Sequence, residues 1–283
     1  MYVIIYSNSF VKKKNTLYYA LMNSYDLQCF LDEEGRLGAW PAKLKKQLLA
    51  LQFLAGQMEW DRMYTEQEMN ELLTKHHSFH DAALLRRELY MKHFLDRKTD
   101  GSAYWRTRRV LPSSWNTTRL QVRDATEHDV PALQSVYDAC AYIQEWIGNH
   151  DTQENPMLIE VQGKALPPNG KRELQRAQAI VDKTSGDIIG YVVVYHGYPD
   201  PDTVWIALFG IHPKEQRKGI GREVVSELEA QVRTLGTFTR MGLGVGVGND
   251  PAMKFWASCG FTDVVNIEDH GTHKDQWIVK KLN

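Results

Sequence analysis

One stretch limits the folds open to this chain more than any other. An apolar run, Val204 to Ile211, leads through Gln216-Arg-Lys-Gly-Ile-Gly221 into an amphipathic helix. The run carries no charge, which reads as a strand buried on both faces. Gly219 and Gly221 let the backbone turn tightly and aim its N–H groups at one point. Behind them Val224, Val225, Leu228, Val232 and Leu235 recur at helical spacing, and Gly236 supplies the stop. Free N–H groups and the positive end of a helix dipole therefore meet at Ile220, a geometry that binds phosphate or pyrophosphate. Arg217, Lys218 and Arg222 add cations beside it, or else form a solvated basic turn.

With 283 residues the chain has room for one or two domains. A formal net charge of -1 excludes a polycation, so any nucleic-acid contact must come from a local patch. Cys29, Cys140 and Cys259 are far apart and lack metal-type spacing, which fits reduced thiols and a cytoplasmic protein. No apolar run is long enough to span a bilayer, which argues against a membrane partner. The apolar start, Met1 to Tyr6, precedes Lys12-Lys13-Lys14, the wrong order for a secretory signal. Residues 1–32 stay unassigned between a short strand and no fixed structure, and Met22 is an alternative start.

Residues 33–110 read as a small helical domain. Pro41 suits a first helical turn, and Leu44, Leu48, Leu51 and Leu54 follow at helical spacing to Gly56. Thr65 and Glu68 form a capping box for a second helix with Met69, Leu72 and Leu73 on its apolar face. A third helix begins near Asp81, and Asp100-Gly101 turns a hairpin after it. Three helices and a ribbon make a winged-helix-like arrangement. Residues 111–118 read as a linker. From Arg119 strands alternate with helices: Leu120–Arg123, a helix after Thr126, then strands near Ala177–Asp182, Ile188–Tyr195 and Thr203–Ile211. The prolines and glycine between Asn149 and Gly170 predict irregular structure there.

In the next strand–helix unit stands Asn249-Asp-Pro-Ala-Met-Lys-Phe-Trp-Ala-Ser-Cys-Gly-Phe261, where Asn249 and Pro251 start a helix and Gly260 ends it. Gln216-Arg-Lys-Gly-Ile-Gly221, together with Asn249, Ala252, Phe255, Gly260 and Phe261, resembles the GNAT superfamily of N-acetyltransferases in order and spacing. The resemblance covers residues 119–283. It implies an α/β fold, a mixed central sheet flanked by helices, and acetyl-CoA as cosubstrate. It further implies that the diphosphate of coenzyme A lies on the N–H groups from Arg217 to Arg222. The strand before the loop then splays from the strand after the helix, the pantetheine arm fills the gap, and an N–H near Phe209, Gly210 or Ile211 polarises the thioester carbonyl.

The sequence departs from that family at Trp256, where many members carry the tyrosine that protonates the leaving thiolate; an indole N–H cannot do so. The strand Val204–Ile211 also lacks the carboxylate base common in the family. His196, His212 and Asp202 are candidates, and the catalytic acid and base stay open. Met241-Gly-Leu-Gly-Val-Gly-Val-Gly248 leaves one strand face bare, for a closely packed helix or for a ligand. Trp205 and Phe209 fall on one face of their strand by period two, as two core faces or as pocket walls. The turn Leu166-Pro-Pro-Asn-Gly170 lies where the family varies its acceptor-binding elements.

The stretch from Trp40-Pro41 to Tyr104-Trp-Arg106 resembles an uncharacterised bacterial domain found in transcription-regulator-like proteins, through Tyr64-Thr-Glu66, Leu85-Arg-Arg87 and Asp100-Gly-Ser-Ala-Tyr-Trp105. Arg86, Arg87, Lys92, Arg97, Lys98, Arg106, Arg108 and Arg109 form a basic cluster that would contact DNA, or a solvated charged face, or a protein-binding module. The sequence thus predicts an acetyl-CoA-dependent N-acetyltransferase that acts on a primary amine by direct attack in a ternary complex. The alternative is a regulator whose GNAT-like domain senses acetyl-CoA without turnover. The acceptor and the oligomeric state are not encoded in any recognisable motif.

Overall fold

The computed structural model describes residues 2–3, 28–60, 62–107, 109–140 and 155–282. They form two compact units, a smaller one within Val11–Arg109 and a larger one within Val110–Leu282 that also takes the short strand β1 (Tyr2–Val3). Residue 1, residues 4–27, with Met22, and the stretch 141–154 lie outside the described residues.

In the smaller unit α1 (Leu44–Gly56), α2 (Glu66–Lys75) and α3 (Ala82–Met91) precede the antiparallel ribbon β2 (Leu95–Arg97) and β3 (Tyr104–Arg106). Helix α2 starts on the expected capping box: Thr65 Oγ1 accepts from the Glu68 N–H at 3.2 Å, and Glu68 Oε2 accepts from the Thr65 N–H at 2.8 Å. Asp81 caps α3 by accepting from the Leu84 N–H at 2.8 Å. Leu37, Leu51, Leu54, Met69, Leu73, Leu85, Leu89 and Phe94 form the unit's buried core. Pro41 lies ahead of α1 rather than in its first turn, because its carbonyl is taken by the Gln47 side chain at 2.9 Å and the helix starts at Leu44.

The larger unit is one mixed sheet with helices packed on it. Its strands are β4 (Ser114–Asn116), β5 (Leu120–Asp124), β6 (Gln175–Asp182), β7 (Ile188–His196), β8 (Thr203–Ile211), β9 (Arg240–Gly246), β10 (Asp263–Asp269) and β11 (Lys274–Lys281). The order across the sheet is β10-β11-β9-β8-β7-β6-β5-β4, antiparallel except for the pair β8–β9. Helices α4 (Val130–Ala139), α5 (Pro156–Val161), α6 (Ile220–Leu235) and α7 (Asp250–Ser258) complete the unit. Every residue of β8 is buried, as an uncharged central strand requires. The apolar stripe of α6, Val224, Val225, Leu228, Val232 and Leu235, is buried in the same core.

Three local features differ from the sequence-based expectation. Within the stretch read as a linker, Ser114–Asn116 pair with β5, and Trp115 is buried with its indole N–H donating to Gln178 at 2.9 Å. Within the stretch read as irregular, Asn155 caps α5 and Pro156 opens it, so the proline marks a helix start rather than a break. The third is a bulge in β8: Val193 faces Leu208 while Val194 faces Ile206, so Ala207 is an extra residue. One inserted residue reverses the alternation downstream of it. Trp205 consequently packs on Trp277 and Tyr198, whereas Phe209 packs on Phe255 and Trp256, and the two rings do not share a face.

Candidate functional site

The site is built where β8 and β9 part. Their parallel pairing covers Thr203–Trp205 against Arg240–Gly242. Further along, β8 is joined to β1 instead, with Tyr2 opposite Phe209 and Val3 opposite Leu208, and β1 also lies beside β9. The gap between the two sheet strands is therefore wide enough for an extended chain, and the short strand β1 lies in it against β8.

At the end of β8 the chain makes a short turn, Pro213–Glu215, and reaches the glycine loop. Gln216 folds back, its Nε2 donating to the Ile211 carbonyl at 2.8 Å, which fixes where the loop leaves the strand. Arg217 and Gly219 both adopt left-handed backbone, with φ of 61° and 81°. Gly219 is the N-cap of α6 and offers no side-chain cap. The first helical bond is made by the Glu223 N–H to the Gly219 carbonyl at 3.0 Å, so the N–H groups of Ile220, Gly221 and Arg222 precede the ladder. At Gly221 a Cβ would stand 3.2 Å from the Phe255 ring, so the missing side chain lets α6 sit close on α7.

The helix start is braced from behind by residues the sequence reading missed. Arg119 donates from Nη1 to the Lys218 carbonyl at 3.1 Å and pairs with Glu223 at 2.6 Å. Thr117 Oγ1 donates to the same carboxylate at 2.5 Å. These contacts hold the Glu223 carboxyl below its usual range against the opposing effect of burial. Nothing local in the sequence signals them, because the partners are some hundred positions apart. Two of the three loop cations are also engaged: Lys218 with Glu215 at 2.9 Å, and Arg222 with the Ser258 hydroxyl at 3.0 Å.

Helix α7 forms the other wall. Asn249 is buried and caps it, Oδ1 accepting from the Ala252 N–H at 3.1 Å. Phe255 stacks on Phe209 with 6.3 Å between centroids and 12° between planes. Trp256 is fully buried among Phe209, Phe255 and Phe261, where its indole fills the core. Gly210 is required by packing: a Cβ there would stand 2.3 Å from the Tyr191 ring. The structure thus brings Phe209, Gly221 and Phe255 together with the loop Gln216–Arg222 at one end of β8, and Asn249 starts the helix that carries Phe255.

Of the three residues considered as bases, His212 alone stands at that end of β8. His196 is buried, accepts from the Leu111 N–H at 3.0 Å through Nε2 and bonds the Leu174 carbonyl through Nδ1 at 2.7 Å. Burial lowers its pKa to about 4, so it is a neutral, fully bonded core histidine. Asp202 lies just ahead of β8, at the end of the strand away from the loop. His212 uses Nδ1 to accept from the Lys214 N–H at 3.2 Å. The bare face of β9 is no open pocket at Gly242, where the Trp205 ring lies 3.0 Å and Val279 3.3 Å from the position of a Cβ. Cys140 is buried with its thiol pushed up to about 11, so it is no nucleophile at neutral pH.

In the smaller unit four of the eight residues of the basic cluster make internal contacts. Arg86 pairs with Glu66 at 2.8 Å and lies over Tyr104; Arg97 lies over Tyr90, and Arg106 lies 3.6 Å from the Trp60 ring centre. Arg109 is half-buried against Phe94, and Arg108 lies outside the described residues. Among the described residues no helix is long and apolar enough to cross a membrane.

Comparison with known proteins places both units. Residues 141–261 match the acetyltransferase (GNAT) family, and residues 36–106 match DUF2087, an uncharacterised protein family conserved in bacteria. Among solved structures, an acetyltransferase from Thermus thermophilus is 23% identical, with 59% of this chain and 100% of that one covered at a TM-score of 0.44. A GNAT-family acetyltransferase from Bacillus anthracis is 16% identical over 59% and 98%, with a TM-score of 0.47. Spermidine N-acetyltransferase from Vibrio cholerae, in complex with CoA and spermine, is 18% identical over 58% and 96%, with a TM-score of 0.46. No curated protein matches. The chain carries a GNAT acetyltransferase domain in its C-terminal part, preceded by a DUF2087 domain.

Proposed function

We propose that residues 119–283 form an acetyl-CoA-dependent N-acetyltransferase that moves an acetyl group to a primary amine by direct attack in a ternary complex, in a cytoplasmic protein whose domain 33–110 is of winged-helix type. The observation that carries this reading is the uncapped start of α6 at Gly219, placed at the end of β8 where β8 and β9 have parted. The N–H groups of Ile220, Gly221 and Arg222 would hold the diphosphate, each such bond being worth about 1.5–3 kcal/mol. Arg217 and Lys218 add charge at the rim, Gln216 and Asn249 fix the loop and the facing helix, and Phe255 sets the distance between them. The gap beside Phe209, Gly210 and Ile211 takes an extended chain, as its pairing with β1 supports, so the pantetheine arm would fit there in place of β1. Acetyl-CoA brings the thioester; the chain's part is to bind it, to aim a β8 N–H at its carbonyl and to keep water out. A thiolate leaves without an acid because the thiol pKa is about 8.5. The acceptor ammonium must first lose its proton, through water or through a group not yet identified.

A second reading, a regulator that senses acetyl-CoA without turnover, is favoured by the enclosed Trp256 and by the bonded state of His196. Thiol release measured over a panel of amines separates the two. Amine-dependent release supports the enzyme, whereas tight cofactor binding with no release from any amine supports the sensor. DNA contact by the smaller unit requires an affinity that falls steeply with salt. Its absence at low salt removes that part of the reading.

A further inference from the structure

The hairpin of β10 and β11 carries a second cluster, outside the site at β8. Its sequence is Glu268-Asp-His-Gly-Thr-His-Lys-Asp275. Gly271, with φ of 81°, and a bond from the His270 N–H to the His273 carbonyl at 2.9 Å close a tight turn. The two histidines are the first and last residues of that turn, and their rings stack at 4.6 Å with 17° between planes. Both Nε2 atoms face one oxygen, Asp275 Oδ2, at 3.3 Å and 3.8 Å. The donor atoms of His270, His273 and Asp275 all lie within 4.8 Å of one another.

Two observations point to a missing positive charge. Asp275 is only 6% exposed, and its Oδ1 is buried without a hydrogen-bond partner among the described residues. Glu268 stands directly opposite Asp275 in the β10–β11 register, with its side chain 11% exposed and Oε2 3.9 Å from His270. Like charges directly opposite across an antiparallel pair are destabilising, the more so when desolvated.

We propose that His270, His273 and Asp275 bind one divalent first-row transition-metal ion of the zinc class, with Glu268 as the fourth donor. Two imidazoles and two carboxylates are a borderline set that suits zinc rather than magnesium or calcium. Donors placed about 2.0–2.2 Å from a tetrahedral ion lie roughly 3.3–3.6 Å from each other; the two imidazole–Asp275 spacings, 3.3 Å and 3.8 Å, are near this, while separations of up to 4.8 Å within the triad would have to shorten on binding, with Glu268 swinging in. The ion would pin the free end of the hairpin at the edge of the sheet. This assignment does not rest on acetyl transfer.

The test uses the full chain stripped with a chelator and titrated with zinc, with cobalt as a spectroscopic stand-in. One equivalent should bind, cobalt should show the intense visible bands of a tetrahedral site, and zinc should raise the melting temperature. His270→Ala with His273→Ala should weaken zinc binding at least 100-fold. The isosteric Asp275→Asn keeps the hairpin's shape and should weaken it at least tenfold. In chelator, Asp275→Asn should melt no lower than wild type, because a like-charge contact is gone; in zinc the order should reverse. Sub-stoichiometric uptake by the wild type, or equal affinity in Asp275→Asn, overturns the proposal.

Discussion

Helices α2 and α6 begin in opposite ways. The first turn of α2 is closed by its own residues, Thr65 and Glu68 each satisfying the other's backbone. The first turn of α6 begins at Gly219, which has nothing to close it with. Local closure makes a helix start self-sufficient; leaving it open keeps donors available for something outside the chain. An open start alone decides little, since α1 also lacks a side-chain cap. What sets α6 apart is the gap in front of it between β8 and β9 and the bracing behind it by Arg119, Thr117 and Phe255.

If packing from behind supports the open start, its removal should be the most damaging change. Trp256→Ala should destabilise the larger unit by about 3–5 kcal/mol, read from the denaturant midpoint, because a fully buried indole leaves a cavity. A loss below about 1 kcal/mol would show that the aromatic cluster does not brace α6. The two buried histidines sharpen the comparison further, since His77 and His196 are each held by two backbone groups. His196 has a folded pKa of about 4 against an unfolded value near 6.5, so the unfolded state binds more protons between them. Its contribution is complete above about pH 6.5 and is lost as pH falls toward 4, about 3 kcal/mol in all. Unfolding curves across that window should show the loss in wild type and a flatter profile in His196→Gln; identical slopes would contradict the assignment.

Smaller effects test the gap and the closed start. Removal of residues 1–10 deletes the β1 pairing at Leu208 and Phe209 and should tighten coenzyme A binding by about tenfold, the worth of one or two net hydrogen bonds. Weaker binding after the deletion would mean that β1 helps to form the slot rather than competing for it. Thr65→Ala should cost about 1 kcal/mol of stability and leave cofactor affinity unchanged.

The features set by short-range chemistry, in the site and outside it, were legible in the sequence. Val204–Ile211, the two glycines, the Asn249 cap and the Thr65–Glu68 box all act on neighbours within a few residues, so their pattern names their structure. The Ala207 bulge was not legible, because alternation read from sequence assumes an uninterrupted register, and one extra residue separated Trp205 from Phe209. Helix α5 was hidden because Pro156 is a breaker in the middle of a helix and a starter at its first position. The Arg119–Glu223 brace and the filling of the Gly242 face by Trp205 join residues that only the folded sheet brings together.

Calorimetric titration of coenzyme A into the wild-type protein and Gly219→Asp tests the central claim most directly. Asp tolerates the left-handed backbone at this position and sets a carboxylate before the donors of Ile220, Gly221 and Arg222. One equivalent should bind the wild type, and the variant, still folded, should bind at least about 100-fold more weakly, the loss of one or two bonds to a charged group. No heat from the folded wild type, or equal affinity in the variant, would contradict the account.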